Sequence, residues 1–523
     1  ILFLFVFRLS SFIISNAYIS IAFAFITILM LSLVILTSKN IKFFKIFFFQ
    51  SLSNKIFYFA LFISVLLCLL LYWTDPSLST DNVLASLGSL HSPRYINIAN
   101  YIVDANIIPV INQNYGQSLL TTSTLFFGVN APYFALFLWL AQSIFFLIFI
   151  TFGLFKWLGF DVKSASLGTI IVLLGNTTFS LSHILVIDSG SPFFLNGYTD
   201  SVVSIGTFIV FFLWFYNAYI EKYKINRIPS LFLLIIFGIT WNIFAPQNII
   251  FAGGILVFFT LKIFIFDFKR KSFVMLSTIV FLLASHFGTF MGGMLTPTKL
   301  TESVEIEGLM QVEKNEKLEI GILPQLPYFF SNGTGWSRAE PYLFERDKKY
   351  RDQYYKDNSQ STFNKTILFL KMWIIFETNI WIALRIMIIP FIGVLGLWML
   401  IFYKSKWDPP IFKKQRYKMF VLVNTLIIIP GFILPFLFTL SGYKWELTRF
   451  LIPGIYMAMF SFVIFLNHIN FSKNIFIKKY FTYVVAYFLI SPVIIDTIIR
   501  IGMNVKDLNK FLNFCEFILG KVH

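Results

Sequence analysis

The chain has 523 residues, of which 57% are hydrophobic, 20% aromatic and only 13% charged, so its composition excludes an ordinary soluble globular protein. The formal net charge is +17, but Lys and Arg fall mainly in short segments between apolar runs. That distribution is typical of the cytoplasmic loops of membrane proteins, and it argues against nucleic acid as a partner. Cys68 lies in an apolar run and Cys515 near the last residue, so the cysteines predict neither a disulfide framework nor a thiolate metal site.

Apolar runs long enough to cross a bilayer recur along the chain. They predict an all-α integral membrane protein with about eleven to twelve transmembrane helices, in a single polytopic domain over residues 1–523. The predicted spans are Phe12–Thr37, Ile56–Trp73, Tyr133–Phe155, Ser164–Ile187, Ser201–Ile220, Leu231–Phe244, Ile249–Phe266, Phe273–Leu295, Ile380–Tyr403, Met419–Leu440, Phe450–Leu466 and Tyr480–Ile499. Leu231–Phe244 is short for a span, so it forms with Ile249–Phe266 either a tilted hairpin or a partly re-entrant pair. Ile1–Ser38 is too long and too evenly apolar for a cleaved signal peptide, and a first residue other than Met leaves room for a missing N-terminal piece.

The charges between the spans predict the side of the membrane on which each loop lies. Short loops rich in Lys and Arg are expected in the cytoplasm, and the most basic of them lies between Tyr403 and Met419. The resulting topology places two long polar segments, Thr74–Pro132 and Thr296–Lys365, together on the opposite side. We therefore expect these segments to be extracytoplasmic loops with interfacial helices, in a bacterial inner or plasma membrane.

The first extracytoplasmic segment contains a predicted interfacial helix. Ser92-Pro93 is typical of an N-cap followed by proline at the first helical position. Apolar residues then recur at helical spacing, at Tyr95, Ile98, Ala99 and Ile102. Such a helix would lie with its apolar face in the lipid headgroups, which leaves Arg94 on another face as a candidate for phosphate contact.

Two carboxylates precede that helix, shortly after the end of a predicted span. Asp75 and Asp81 would lie near the outer membrane surface, where either could act as a general base or as a metal ligand. The alternative for each is an ordinary solvated loop residue.

The order of these features resembles a known family. Acidic residues after an early span are followed by an interfacial helix, by Ile108-Pro109 and Asn114-Tyr115-Gly116, and then by an aromatic-rich span. This layout, over Ile56–Ile220, resembles the opening of the GT-C superfamily of polytopic glycosyltransferases, with an arrangement like that of protein mannosyltransferases and arabinosyltransferases. The resemblance implies a polyprenyl-phosphate-linked sugar donor and a catalytic Asp or Glu in the first outer loop. Asp81 is the best match and Asp75 the second, although this chain lacks the paired Asp-Glu motif and has an additional span before the loop.

Two cations stand in a later outer turn, Ser441–Arg449. Lys444 and Arg449 lie on the predicted extracytoplasmic side, where the charge rule does not favour cations. They are therefore candidates for binding a lipid-linked phosphate or pyrophosphate. A late Arg before a span that contains Leu and Pro is also similar to what some GT-C enzymes show. The alternative is interfacial anchoring, with Trp445 in the aromatic belt.

The second long segment carries a further pair of candidates. Glycines surround Trp336 and Arg338, and a turn there could present an aromatic platform and a cation to a sugar or a phosphate. An ordinary solvated loop is the alternative.

Together these patterns predict a membrane glycosyltransferase that moves a sugar from a polyprenyl-phosphate donor to a lipid, glycan or protein acceptor on the extracytoplasmic face. Asp81 or Asp75 would deprotonate the acceptor or hold a divalent cation such as Mg²⁺ or Mn²⁺; a mechanism without a cofactor stays open. Alternatives are a transporter or flippase of lipid-linked glycans, a glycan polymerase or ligase, and a noncatalytic subunit. A transporter would line its path with charges, whereas the predicted spans carry few besides Arg385.

Overall fold

The computed structural model describes part of the chain, in ranges separated by gaps. They are residues 6–7, 9–10, 13–14, 16–37, 58–59, 61–62, 65, 99–100, 122–124, 127, 131–175, 208–209, 212–213, 235, 275–276, 279–284, 318–320, 362, 364–366, 389–402, 414–440 and 451–470.

Most of these residues are helical; the others are one short strand pair and the turn or irregular residues 13–14, 16 and 159–161. The helices are α1 (Ala17–Thr37), α2 (Ala131–Leu158), α3 (Val162–Gly175), α4 (Ile389–Phe402), α5 (Lys414–Leu437) and α6 (Leu451–Asn470), and the strands are β1 (Leu318–Ile320) and β2 (Phe438–Leu440). The prediction of a helical architecture is therefore confirmed for the described residues. Pro132, Pro390 and Pro453 lie in the first turns of α2, α4 and α6, where the missing N–H has no intrahelical partner to lose.

Helix α6 is the centre of a bundle formed by α2 to α6. Residues 456–464 are buried without interruption, so every face of this helix is covered by protein. Helices α3, α4 and α5 all pack against it. On α4 the approach is close because of glycine: a Cβ at Gly393 would come within 3.0 Å of the Phe462 backbone nitrogen.

Aromatic rings fill the space between α2, α5 and α6. Phe460 stacks on Phe155 with ring centroids 4.3 Å apart, and it meets Phe420 edge-on at 5.8 Å. Phe212, from the predicted span Ser201–Ile220, contacts Phe420 and Trp157 in the same cluster. Such offset and edge-to-face arrangements are the favoured geometries of aromatic pairs, so the many phenylalanines of the chain serve here as core.

A tight turn joins α2 to α3 and makes them antiparallel neighbours. The N–H of Gly159 donates to the carbonyl of Lys156 at 3.0 Å, and the N–H of Phe160 donates to the carbonyl of Phe155 at 3.1 Å. These two bonds form a Schellman motif, and Gly159 provides the left-handed residue that it requires, with φ at 103°. The rings of Phe155 and Phe160 complete the motif, with centroids 5.0 Å apart.

Two of the helices follow the predicted spans closely. Tyr133–Phe155 corresponds to α2, and Phe450–Leu466 corresponds to α6. The predicted span Met419–Leu440 differs at both ends, because α5 begins at Lys414 and its last predicted residues form β2. Hydropathy marks only the apolar part of a helix, so it omitted the basic first turn.

The end of α5 was predicted incorrectly as helix. Pro435 has no N–H to donate, and the helix ends soon after it, at Leu437. Residues Phe438–Leu440 then find hydrogen-bond partners in β1, in an antiparallel register that sets Leu318 opposite Leu440 and Ile320 opposite Phe438.

None of the helices that the described residues form is long and apolar enough to cross a membrane.

Candidate functional site

The strand pair is a described part of the structure that lies near predicted site residues in sequence. Strand β1 belongs to the second long polar segment, Thr296–Lys365, which also contains Trp336 and Arg338. Strand β2 directly precedes the turn Ser441–Arg449, which contains Lys444 and Arg449. The pairing of β1 with β2 therefore joins the segment Thr296–Lys365 to the residues directly before the turn Ser441–Arg449.

The predicted site residues themselves lie outside the described residues. They are Asp75, Asp81, Arg94, Trp336, Arg338, Lys444 and Arg449. Of the predicted interfacial helix, the structure describes Ala99 and Asn100, which are both helical. Ala99 is buried and Asn100 is exposed. The placement of this helix in the lipid headgroups stays a prediction.

The end of the bundle that lies opposite the strand pair is basic. Arg416, in the first turns of α5, lies over the indole ring of Trp157 at 5.3 Å, and its Nη1 donates to the Trp157 carbonyl at 3.3 Å. Lys156 Nζ donates to the carbonyl of Phe160 at 2.9 Å, so it caps the turn after α2. These contacts bring the C-terminus of α2, the N-terminus of α3 and the N-terminus of α5 together.

One carboxylate stands among these cations. Asp161 caps α3, because its Oδ2 accepts the N–H of Lys163 at 3.2 Å. A hydrogen bond from the Ser164 side chain lowers the pKa of Asp161 below its ordinary value. The carboxylate is exposed, so it is ionised at neutral pH and offsets part of the local positive charge.

The centre of the bundle contains polar contacts that sequence reasoning missed. The hydroxyl groups of Thr151 on α2 and Tyr456 on α6 are hydrogen-bonded at 2.5 Å, and both residues are fully buried. On α5, Asn424 Nδ2 donates to the Met457 carbonyl at 2.9 Å and also to the Ser461 hydroxyl. Because a carbonyl can only accept, the Met457 contact fixes which atom of the Asn424 amide is nitrogen.

These contacts tie three helices together inside an apolar core. Asn424 Oδ1 accepts no hydrogen bond from any described residue, although the side chain is buried. A polar residue within an apolar run was the sequence signal for Asn424, since such residues often hold helices together in bundles. Tyr456 and Thr151 gave no comparable signal, because hydroxyl groups are common in apolar helices. We assign these residues a role in packing rather than in chemistry.

The described part of the chain contains no group of three His, Cys, Asp or Glu residues that could hold a metal ion. Asp81, the predicted ligand of a divalent cation, lies outside it. The geometry of that site therefore stays a prediction.

No family model matches the chain, and no match is found among curated proteins or among solved structures.

Proposed function

We propose that this chain is a multi-pass membrane glycosyltransferase of GT-C type, with its active site on the extracytoplasmic face of a bacterial plasma membrane. It would transfer a sugar from a polyprenyl-phosphate donor to a glycan, lipid or protein acceptor. The observation that carries the proposal is the pairing of β1 with β2. It joins the polar segment Thr296–Lys365 to Phe438–Leu440, which directly precedes the turn Ser441–Arg449, and the predicted topology places that segment and that turn on one side.

The outward faces of the helices support a lipid environment. On α1, large apolar side chains are exposed around much of the helix; Ile19, Ile26 and Leu29 are 56%, 60% and 61% exposed. A helix that is apolar on all sides is typical of a buried or lipid-covered segment. The proposal also rests on apolar runs that continue past the described helices, as Ser164–Ile187 continues past Gly175 at the end of α3.

The contacts at the two ends of the bundle support the proposed sidedness. The turn after α2 and the start of α5 both belong to basic loops that the charge rule assigns to the cytoplasm, and Arg416 contacts Trp157 there. At the far end of α5, β2 pairs with β1 from a segment assigned to the outside. Helix α5 therefore connects two contacts that each agree with the predicted topology.

The chemistry that we propose is base-assisted transfer with electrostatic stabilisation of the leaving phosphate. Asp81, or Asp75, would take the proton of the acceptor hydroxyl or hold a divalent cation. Arg449 and Lys444 would stabilise the negative charge that develops on the phosphate as the glycosidic bond breaks. Arg94, Arg338 and Trp336 would contact the donor, and the segment Thr296–Lys365 would close over it and exclude water.

The test is transfer of radiolabel from polyprenyl-phosphate sugars in membranes that contain the wild type or Asp81→Asn. We expect transfer by the wild type and a loss of at least a hundredfold in the variant at equal protein level, since general base catalysis contributes about 10²–10⁴-fold. Asn100→Asp is a control, because it adds an exposed carboxylate to the same segment without replacing a proposed site residue. Asp75→Asn distinguishes the two candidate bases.

The opposite results also have definite meanings. Full transfer by both Asp81→Asn and Asp75→Asn would exclude these carboxylates as the base. If the wild type transfers sugar from none of the donors but moves labelled lipid-linked glycan across the bilayer of reconstituted vesicles, the chain is a flippase.

A further inference from the structure

The outward faces of three helices share one pattern. On α3, Lys163, Leu167 and Ile170 lie on one face at intervals of four and three residues, and all three are exposed. The opposite face, with Ala165, Gly168 and Val172, is buried. Helix α3 therefore presents an apolar face that ends in a lysine.

The same pattern recurs on α5. Its outward face begins with exposed Lys418, continues through half-buried Leu422, and ends with Ile429 and Ile433, which are 47% and 45% exposed. On α2, the outward face runs from Leu138 to Lys156, both exposed, with Gln142 as a polar interruption.

The three lysines stand at the same end of the bundle. The turn Gly159–Asp161 places Lys156 beside the start of α3, and the contact of Arg416 with Trp157 brings the start of α5 to that turn. Lys156, Lys163 and Lys418 are all exposed, and Lys156 Nζ also donates to the Phe160 carbonyl at 2.9 Å. Arg416 is engaged with Trp157. Among the described residues at this end, Asp161 carries an opposing charge. We call Lys156, Lys163 and Lys418 the basic rim.

On each of these helices a lysine lies at the end of an apolar stripe, which matches the order of headgroup and acyl chain in one leaflet of a bilayer. An acyl chain is apolar, and the headgroup above it carries a phosphate. An ammonium group at the end of an apolar stripe can bind the phosphate while the side-chain stem stays on apolar surface. Free phosphate would satisfy the lysines but not the exposed stripes beside them.

We infer that the basic rim binds the headgroups of anionic phospholipids in the cytoplasmic leaflet, with the outward stripes of α2, α3 and α5 against their acyl chains. This inference rests on the membrane placement proposed above, and it adds a lipid preference that the proposed catalytic residues do not require.

The test uses the full chain in vesicles of phosphatidylcholine, with spin-labelled phosphatidylglycerol or spin-labelled phosphatidylcholine as the probe. The ratio of the two association constants measures the preference for the anionic headgroup. A lysine near an anionic surface contributes about fivefold, so we expect the triple variant Lys156→Gln, Lys163→Gln, Lys418→Gln to lower the ratio at least tenfold.

Two matched variants separate position from charge and folding. The triple variant Lys156→Arg, Lys163→Arg, Lys418→Arg keeps the charge and should keep the ratio. The triple variant Lys348→Gln, Lys349→Gln, Lys365→Gln removes equal charge from the second polar segment, and it should also keep the ratio.

An unchanged ratio in the rim Gln variant would overturn the inference. So would competition by inorganic phosphate beyond that of chloride at equal ionic strength, which would identify a site for free phosphate. If the wild type is not recovered in vesicles at all, the membrane proposal fails as well. If the wild type is recovered but shows no preference for the anionic lipid, only the inference about the basic rim fails.

Discussion

Helix α6 and the outward faces of α2, α3 and α5 are all predominantly apolar in sequence, yet they differ in how far they are buried. Nine consecutive positions of α6, residues 456–464, are buried against protein. Ile429 and Leu138 lie on helices of the same bundle, but they are 47% and 49% exposed. Apolar sequence is therefore of two kinds here, one covered by other helices and one exposed on the outside of the bundle.

The two regions also differ in their small and polar residues. The α6 surroundings contain Gly393, Asn424 and Thr151, each with a specific neighbour. The outward stripes contain large aliphatic side chains and end in lysines. Specific neighbours imply sensitivity to shape. A face covered by lipid, as proposed for the stripes, would be sensitive mainly to polarity.

The largest expected effect tests the outward face. Ile429→Lys places a charge on the outward face of α5 at the middle of the predicted span Met419–Leu440, and in a bilayer this costs about 3 kcal/mol. We expect the protein recovered in membranes that resist alkaline extraction to fall at least tenfold, whereas Ile429→Leu should leave it unchanged. Equal recovery of both variants would show that water, not lipid, covers this stripe.

A smaller effect is expected where α4 meets α6. Gly393→Leu adds a side chain beside the Phe462 backbone, which cannot move as a flexible side chain can, so overpacking should cost about 2 kcal/mol. The readout is the midpoint of thermal unfolding in detergent, followed by intrinsic fluorescence. Val394→Leu is the control, because Val394 is only half-buried and should tolerate the larger side chain. A midpoint that Gly393→Leu leaves in place would contradict the close helix contact.

The buried hydroxyl pair should contribute less. Thr151→Val and Tyr456→Phe each remove one partner, and each should lower stability by about 1 kcal/mol. Thr151→Val leaves the buried Tyr456 hydroxyl without this partner, whereas after Tyr456→Phe the Thr151 hydroxyl still donates to the Leu147 carbonyl at 2.6 Å. Because both single changes remove the same hydrogen bond, the double variant should lose less than the sum of the two. Simple additivity in this double-mutant cycle would show that the two groups do not interact.

The smallest expected effect is at the turn before α3 and depends on pH. The lowered pKa of Asp161 means that its charged form stabilises the folded state. This contribution is present at neutral pH and is lost as the pH falls through the folded-state pKa. Since the carboxylate is exposed, we expect a few tenths of a kcal/mol. Asp161→Asn keeps the cap and should remove this part of the acid dependence of the unfolding midpoint. An identical pH profile in the variant would argue against the hydrogen bond from Ser164.

The sequence predicted the helices better than it predicted their ends or their contacts. Runs such as Tyr133–Phe155 and Phe450–Leu466 were recognised because apolar length alone identifies them. The strand Phe438–Leu440 could not be recognised, because its partner, Leu318–Ile320, is more than a hundred residues away in the chain. The same holds for Thr151 and Tyr456, which are separated by 305 residues.

The candidate site was predicted only as a set of segments. Charge and hydropathy grouped Thr296–Lys365 with Ser441–Arg449. The strand pair joins Leu318–Ile320 to Phe438–Leu440, and the grouping of the site residues stays a prediction. Which carboxylate would act, Asp81 or Asp75, depends on distances between side chains, and sequence spacing carries no information about those.

The most direct test of the account is to measure on which side of the membrane the two ends of the bundle lie. In a chain with Cys68→Ser and Cys515→Ser, a single cysteine is introduced by Ser331→Cys in the second polar segment or by Lys163→Cys in the basic rim. Intact cells are then treated with a membrane-impermeant maleimide. The account predicts labelling of Ser331→Cys in intact cells and of Lys163→Cys only after permeabilisation. Labelling of both variants in intact cells, or the reverse pattern, would contradict it.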